Sequence, residues 1–466
     1  MKKIISRCLA LLLALVLSST VSVTAIGLDV LQPNSVLRIG LAYGAGALPE
    51  ARLENSVGSG YRFGVTDESG AFILLGSTAE RKLTMRKTVG VGITPQAITV
   101  FATDTGVVLF QFDGNTPQLT ILPGLDDSVK TVTWFAGRQY FGSFRYTCTG
   151  DLLTVINALP MEDYINCVIS QEMSESWPVE ALKAQAICAR SYAVSSSSRH
   201  AGTGFDLCAT THCQAYPGAS RIGENTTRAA AETAGLCAWY NGAIASTHYF
   251  SCDGGATENA ENVWGSEVPY LKGKIDPYEP TVMAGSPHYG WSVTYTKEEL
   301  RQKLIDRGHT NCGEILNFYV SKTTELGHVY SVTFVDDKGE SYTQFKDNAR
   351  IMLNLKSLDF KISGGEAVQS GYFVNGTGTI ATTQGAYAIH GDGQITAMTD
   401  MAYAITADGV APLVPSNQTS AGSYTITGNG WGHLVGMSQW GAYAMAQQGL
   451  TYLDILNFYY TGIEIK

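Results

Sequence analysis

One stretch constrains the fold class before any other. From Ser176 to Ser197 the chain reads SWPVEALKAQAICARSYAVSSS. Ser176 suits an N-cap, Pro178 is tolerated in a first turn, and Val179, Leu182, Ala186 and Ala189 recur at helical spacing. This pattern predicts a long amphipathic helix. Around it the chain breaks into short alternating runs: VLRIGLAYG from Val36, then Gly70–Leu75, Ala97–Ala102, Gly106–Phe112 and Thr131–Trp134. Gly, Asn and Asp punctuate them, as between strands. Fifty glycines and twenty-four tyrosines fit many turns and wet aromatic clefts. The expected class is α+β, a mixed core of a long helix and β-strands around a groove.

The organisation follows from changes of pattern. MKKIISRCLALLLALVLSSTVSVTA has a basic start, an apolar run from Leu9 to Leu17 and small residues Val23 and Ala25. It reads as an export signal over 1–25 cleaved after Ala25, with an uncleaved anchor as the alternative. Residues 26–145 read as a β-rich unit in which GSGYRFG (Gly58–Gly64) is a turn displaying aromatics. Residues 146–363 form a mixed core. In it PMEDYINCVIS is a short helix, TKEELRQKLIDRG a helix with a Thr296/Glu299 capping box, and EILNFY a helix leading into strands. Residues 364–423 read as a β-rich insertion, and 424–466 as the closing part of the core. ILNFY occurs at Ile315 and Ile455, too few matches to be a repeat.

Charge and motif spacing exclude several functions. A net charge of −10, with no basic cluster beyond the N-terminus, argues against nucleic acid and anionic membrane as partners. No GxGxxG or phosphate-loop spacing follows a predicted strand, so nucleotide binding is rejected. No G-x-S-x-G elbow or hydrolase triad is present.

Four places carry chemistry. Glu172 lies in ISQEMSES, ahead of the long helix. It reads either as an acid stabilising a helix N-terminus or as a general acid with a pKa raised by Met173 and Trp177. In HAGTGFDLCATTHC, His200, Cys208, His212 and Cys213 are a donor set for tetrahedral zinc; a Cys208–Cys213 disulfide or free thiols are the alternatives. Eight cysteines follow the leader, and Cys167 and Cys188 fall in apolar helical runs where free thiols are common. SCDGGATENAENVWGSEVPYL offers close backbone approach at Gly254 and Gly255 and a stacking face at Trp264; it also fits a turn with a core Trp. GNGWGHLVGMSQWGA places glycines just before a helix, where main-chain N–H groups suit polar or anionic ligands.

These stretches occur in an order that resembles one known family. LPMEDYINCVISQEMSESWPVEALKAQAICARSYA, CATTHCQAYPG, SCDGGATENAENVWGSEVPYLKG and GHLVGMSQWGAYAMAQQGLTYLDILNFYY are similar to the successive motifs of the stage II sporulation protein D / amidase-enhancer family. The likeness is densest from about Val155 to Ala284, extends to about Leu358, and resumes at the C-terminus.

The resemblance implies a secreted or surface-exposed protein acting on peptidoglycan glycan strands, with a cell-wall amidase as a further partner. Sporulation members are lytic transglycosylases of peptide-free strands, and the acid of their matching segment falls on Glu172. A single Glu suffices there, because the C6 hydroxyl of muramic acid attacks C1 and no water need be activated. Gly254, Gly255, Thr257, Trp264 and Tyr270 would line the groove, joined by His433, Ser438 and Gln439. Some members bind zinc through the segment holding His200, Cys208, His212 and Cys213, which implies a structural zinc. Leu434 stands where the family commonly has Gly, an exchange expected to narrow that loop. A non-catalytic wall-binding amidase enhancer is the alternative function; a zinc hydrolase would require an open coordination position.

Overall fold

The computed structural model describes residues 35–365 and 422–466, apart from 68–69, 90–96, 114–116, 201 and 284–287, together with the backbone of short strands between 372 and 413. The expected export signal lies outside the described residues. So does most of the expected insertion; its described part is three two-stranded antiparallel ribbons, the longest joining Ala402–Thr406 to Gly409–Leu413. No helix among the described residues is long and apolar enough to cross a membrane.

Strands β1 (Val36–Ala42), β2 (Ser143–Thr149) and β3 (Leu152–Pro160) form the middle of a seven-stranded sheet, with β3 between the other two. β1 and β3 run antiparallel in register Ile39↔Asn157, with a bulge between Gly40 and Ala42. Beyond β2 come Leu119–Pro123, Tyr61–Thr66 and Phe72–Thr78. At the opposite edge β4 (Leu207–Cys208) runs parallel to β1, pairing Cys208 with Gly40. A six-stranded sheet that includes Glu50–Val57, Lys82–Thr88 and Ala97–Ala102 covers the first. Glu50–Val57 buries alternate residues, as a strand with one face on a core must. Leu53, Leu83 and Val100 belong with Phe63, Ile121 and Tyr146 to one buried hydrophobic core.

GSGYRFG is therefore not a display turn. Tyr61 and Phe63 begin a strand and are fully buried, because their alternation places both on the inner face. EILNFY is corrected as well. Ile315–Thr323 is a strand paired with Val329–Asp336, whereas the second ILNFY lies in a helix.

The helical part follows the sheets. α1 (Met161–Glu172) carries Glu162 and Asp163 in its first turn, where the helix dipole favours acids. α2 (Val179–Ser195) starts at Pro178 with no side-chain cap, so Ser176 does not cap it. From Ala184 to Val194 every residue is buried, making α2 a central rod rather than an amphipathic helix. Its small residues allow close packing against α1, the Glu224–Glu232 helix, α3 (Gln439–Gln447) and α4 (Tyr452–Tyr459). Arg190 on α2 is 0% exposed and grips Glu162 with two nitrogens, at 2.9 and 2.5 Å. The expected capping box of Lys297–Asp306 is present, Thr296 and Glu299 each satisfying the other's backbone N–H.

Candidate active site

Glu172 is the last residue of α1, not a residue ahead of a helix. Met173 turns extended, its N–H closing on the Ile169 carbonyl. The helix-N-terminus reading of Glu172 is thereby overturned. The carboxyl lies at the negative end of a dipole, which gives its charge no support. Glu175, three residues on, takes the capping role instead, accepting from Asn225 N and Thr226 N at the start of the Glu224–Glu232 helix.

The partner of Glu172 comes from the far end of the chain. Ser438 caps α3 by accepting from Gly441 N at 3.1 Å. Gln439, the first residue of α3, then donates from Nε2 to Glu172 Oε2 at 3.0 Å. Burial raises the Glu172 carboxyl above its ordinary pKa, opposed by this one neutral hydrogen bond.

Glu172 forms part of a cleft of about 650 Å³. Two short parallel strands, β5 (Tyr249–Phe250) and β6 (Met437–Ser438), bring the walls together by pairing Tyr249 with Met437. Gly436 permits this: its φ is +85°, and a Cβ there would lie 2.1 Å from the His248 carbonyl oxygen. Aromatic groups dominate the lining. Trp264 and Trp431 are 40% and 44% exposed, leaving faces open to a ligand. His433 packs between Trp264 at 5.0 Å and Phe250 at 5.3 Å. Burial, then the neighbouring His248, lowers its pKa to about 3, so it is neutral. Arg199 donates to the Tyr192 hydroxyl and the His212 carbonyl. Among the described residues lining the cleft, Glu172 is the sole carboxylate and Arg199 the sole Lys or Arg.

Of the residues expected in a groove, Trp264, His433 and Gln439 line this cleft with Glu172. Gly254, Gly255, Thr257 and Ser438 are not among the residues lining it; Gly254 and Gly255 take left-handed backbone in a turn, and Ser438 ends β6 and caps α3. Thr257 and Ser438 are buried, the former bonded to Lys274 main chain and the latter to Glu279. Tyr270 also lies elsewhere, accepting from Ser246 N and packing on Tyr240. Leu434 does not narrow the cleft. It keeps a glycine-like φ of +65° but points a fully buried side chain into the core. The sequence reading missed Tyr192, Arg199, Gln214, His248, Tyr249 and Trp431. Gln214 stood inside CATTHCQAYPG, but nothing local showed that it would bond Tyr164 and Tyr249 beneath the cleft.

His200, Cys208, His212 and Cys213 converge, with one donor atom from each within 4.8 Å of the others. Cys213 Sγ lies 3.4 Å from His200 Nε2 and 3.6 Å from His212 Nδ1; Cys208 Sγ lies 3.6 Å from the same Nδ1. A tight turn, closed by Cys213 N on the Thr210 carbonyl, lets adjacent residues 212 and 213 face one point. The eight cysteines from Cys148 onward are free thiols, so Cys208 and Cys213 are not joined. Burial opposes a Cys208 thiolate, but hydrogen bonds from Thr210 and His212 outweigh it and bring the thiol to about 5. Two sulfurs and two imidazoles at these separations fit a tetrahedral metal. β4 holds the cluster in place through Asp206, whose carboxylate takes Arg38 N at 2.8 Å and Nη2 at 2.6 Å. His212 and Cys213 also line the cleft.

Comparison with known proteins places the chain beside one family. The family described as Stage II sporulation protein matches residues 149–240, a window holding Glu172 and all four His/Cys donors but neither Trp264 nor Gln439. The chain is 30% identical to an uncharacterised protein of Brachyspira hyodysenteriae over 71% of this chain and 73% of that protein. It is 30% identical to the amidase enhancer of Bacillus subtilis, over 64% of this chain but 39% of that longer protein. It is 28% identical to stage II sporulation protein D of Bacillus subtilis, over 67% of this chain and 76% of that protein.

Proposed function

The chain belongs to the stage II sporulation protein D / amidase-enhancer family, and from that premise we propose that it is an exported lytic transglycosylase of peptidoglycan glycan strands. One observation carries the reading: among the described residues, a single carboxylate with a raised pKa lines the aromatic cleft. A hydrolase generally needs two carboxylates, one to protonate the leaving oxygen and one to act as base or nucleophile. Intramolecular attack removes that need.

Protonated Glu172 donates to the glycosidic oxygen as the C1–O bond breaks. The C6 hydroxyl of the same muramic acid bonds to C1, and its proton returns to the Glu172 carboxylate. No water is consumed, and the product has a 1,6-anhydro end. Gln439 orients the carboxyl without neutralising it. Trp264 and Trp431 present stacking faces, and neutral His433 adds no competing charge. Arg199 suits the lactyl carboxylate that a muramic acid exposes once its stem peptide is gone. Zinc would be held by His200, Cys208, His212 and Cys213, supplying a crosslink of the cleft wall; four protein donors leave no position for a reactive water.

The test is digestion of peptide-free and peptide-bearing strands by the parent protein and Glu172→Gln, with products weighed by mass spectrometry. Anhydro-ended fragments are expected from peptide-free strands, and at least a hundred-fold slower release from the variant. Equal release by both proteins removes Glu172 from the chemistry. The amidase-enhancer name of one relative favours a second reading, a wall-binding partner without turnover. Retention on sacculi and stimulation of an amidase by both proteins, with no anhydro products, would select it.

A further inference from the structure

We propose that Asp253, Asp276 and Glu279 form a binding site for a hard divalent cation of the calcium class, lodged behind the cleft against the start of α3. The three side chains are 0–1% exposed, and one oxygen from each lies within 4.8 Å of the others. That distance spans two bonds of about 2.4 Å to one calcium-sized ion.

Each carboxylate's partners are known. Glu279 accepts from Asp253 N at 2.8 Å, Gly254 N at 2.9 Å and the Ser438 hydroxyl. Asp276 accepts from Tyr278 N at 2.7 Å, Glu279 N at 3.1 Å and the Tyr459 hydroxyl. Asp253 Oδ1 accepts from Gly255 N at 2.7 Å. Every one of these donors is neutral. Among the described residues Asp253 Oδ2 has no hydrogen-bond donor, although its residue is fully buried beside two other acids.

A buried oxygen left without a donor is costly, and three buried carboxylates with no cationic side chain among their described partners more so. The start of α3 contributes a partial positive charge, since Gly441 packs on Asp276 and Tyr459. A helix end supplies about half a unit of charge against three. A divalent ion offsets most of the remainder, and an all-oxygen donor set selects a hard metal over zinc or copper.

The site has a purpose in the fold. Ser438 touches Glu279, and the next residue is Gln439, which holds Glu172. Asp253 lies two residues after Ser251, which lines the cleft. A cation here would fasten both walls from behind, so the ligands act by positioning and touch no substrate.

The experiment uses the full chain saturated with zinc, so that the His/Cys cluster does not compete. Calcium-free protein is titrated with calcium while thermal unfolding is followed. In parallel it is titrated with terbium, whose emission is excited through nearby Tyr459. A rise of several degrees in melting temperature is expected, together with saturable terbium emission displaced by calcium. Asp253→Asn should lose both responses and keep the parent's circular dichroism; Asp276→Asn serves if that variant does not fold. Parent protein insensitive to millimolar calcium and without saturable terbium emission overturns the proposal, whatever the variants do. So does an unchanged response in a folded variant. The first result would leave the three acids sharing a proton; the second would place the responding cation elsewhere on the chain.

Discussion

At the scale of single residues, burial of Glu172 has a thermodynamic signature. Its folded pKa is raised, so the fold holds the proton more tightly than the unfolded chain does. Stability therefore falls as pH rises from the unfolded value, about 4.3, through the folded one. Glu172→Gln lacks that penalty. The variant is expected to melt above the parent at pH 8 and to converge with it as pH is lowered toward 4; a gap independent of pH would show that the carboxyl is not desolvated. Leu434 presents the opposite balance. A left-handed backbone costs a non-glycine residue about 1–2 kcal/mol, while full burial of a leucine contributes about 1.5–3 kcal/mol. Leucine is thus tolerated at a position shaped like glycine. The sequence singled out Glu172 as a candidate acid but put it on the wrong side of a helix. Nothing in Gln171–Met173 breaks a helix, and the end of α1 is set by Met173 turning extended into a buried position.

Among elements, legibility depended on whether the deciding contacts were local. The capping box at Thr296 and the strand at Ala97–Ala102 lie where they were expected, since short-range hydrogen bonding and alternation specify them. ILNFY shows the limit. Its first copy is a strand because Val329–Asp336 pairs with it; its second is a helix because Thr451 and Asp454 cap it and α2 packs on it. The all-round burial of α2 was likewise hidden, because four partner helices come from other parts of the chain. The α1–α2 contact rests on Arg190, 0% exposed and bonded to Glu162 and the Leu236 carbonyl. Glu162→Ala strands that guanidinium inside the protein. A loss of about 3 kcal/mol is expected by urea unfolding, the usual cost of breaking a buried pair from one side. A change under about 1 kcal/mol would mean that water reaches Arg190 through the half-buried edge of Glu162.

Across the whole molecule, the cleft is assembled from segments that are distant in sequence. Glu172 ends a helix in the first half of the chain, and Gln439 begins one near its end. Motifs could be read locally; their convergence could not. The His/Cys cluster was the most legible site, being confined to fourteen residues, though its link to the cleft through His212 and Cys213 was not. Removal of zinc by a chelator is expected to lower the melting temperature and slow glycan release, and His200→Ala to do the same without chelator. About one zinc per chain by elemental analysis of parent protein, and markedly less in the variant, is the accompanying check; protein purified in added zinc yet free of it would exclude the role.

The pairing of Cys208 with Gly40 has a practical bearing on how the protein is cut down for study. A fragment limited to residues 149–240 would hold the acid and every sulfur and imidazole donor, yet it would lack the rail along which the Cys208 strand is laid. It would also lack the glutamine that steadies the acid. Trimmed versions would therefore report on a fragment without its scaffold and without half of its cleft.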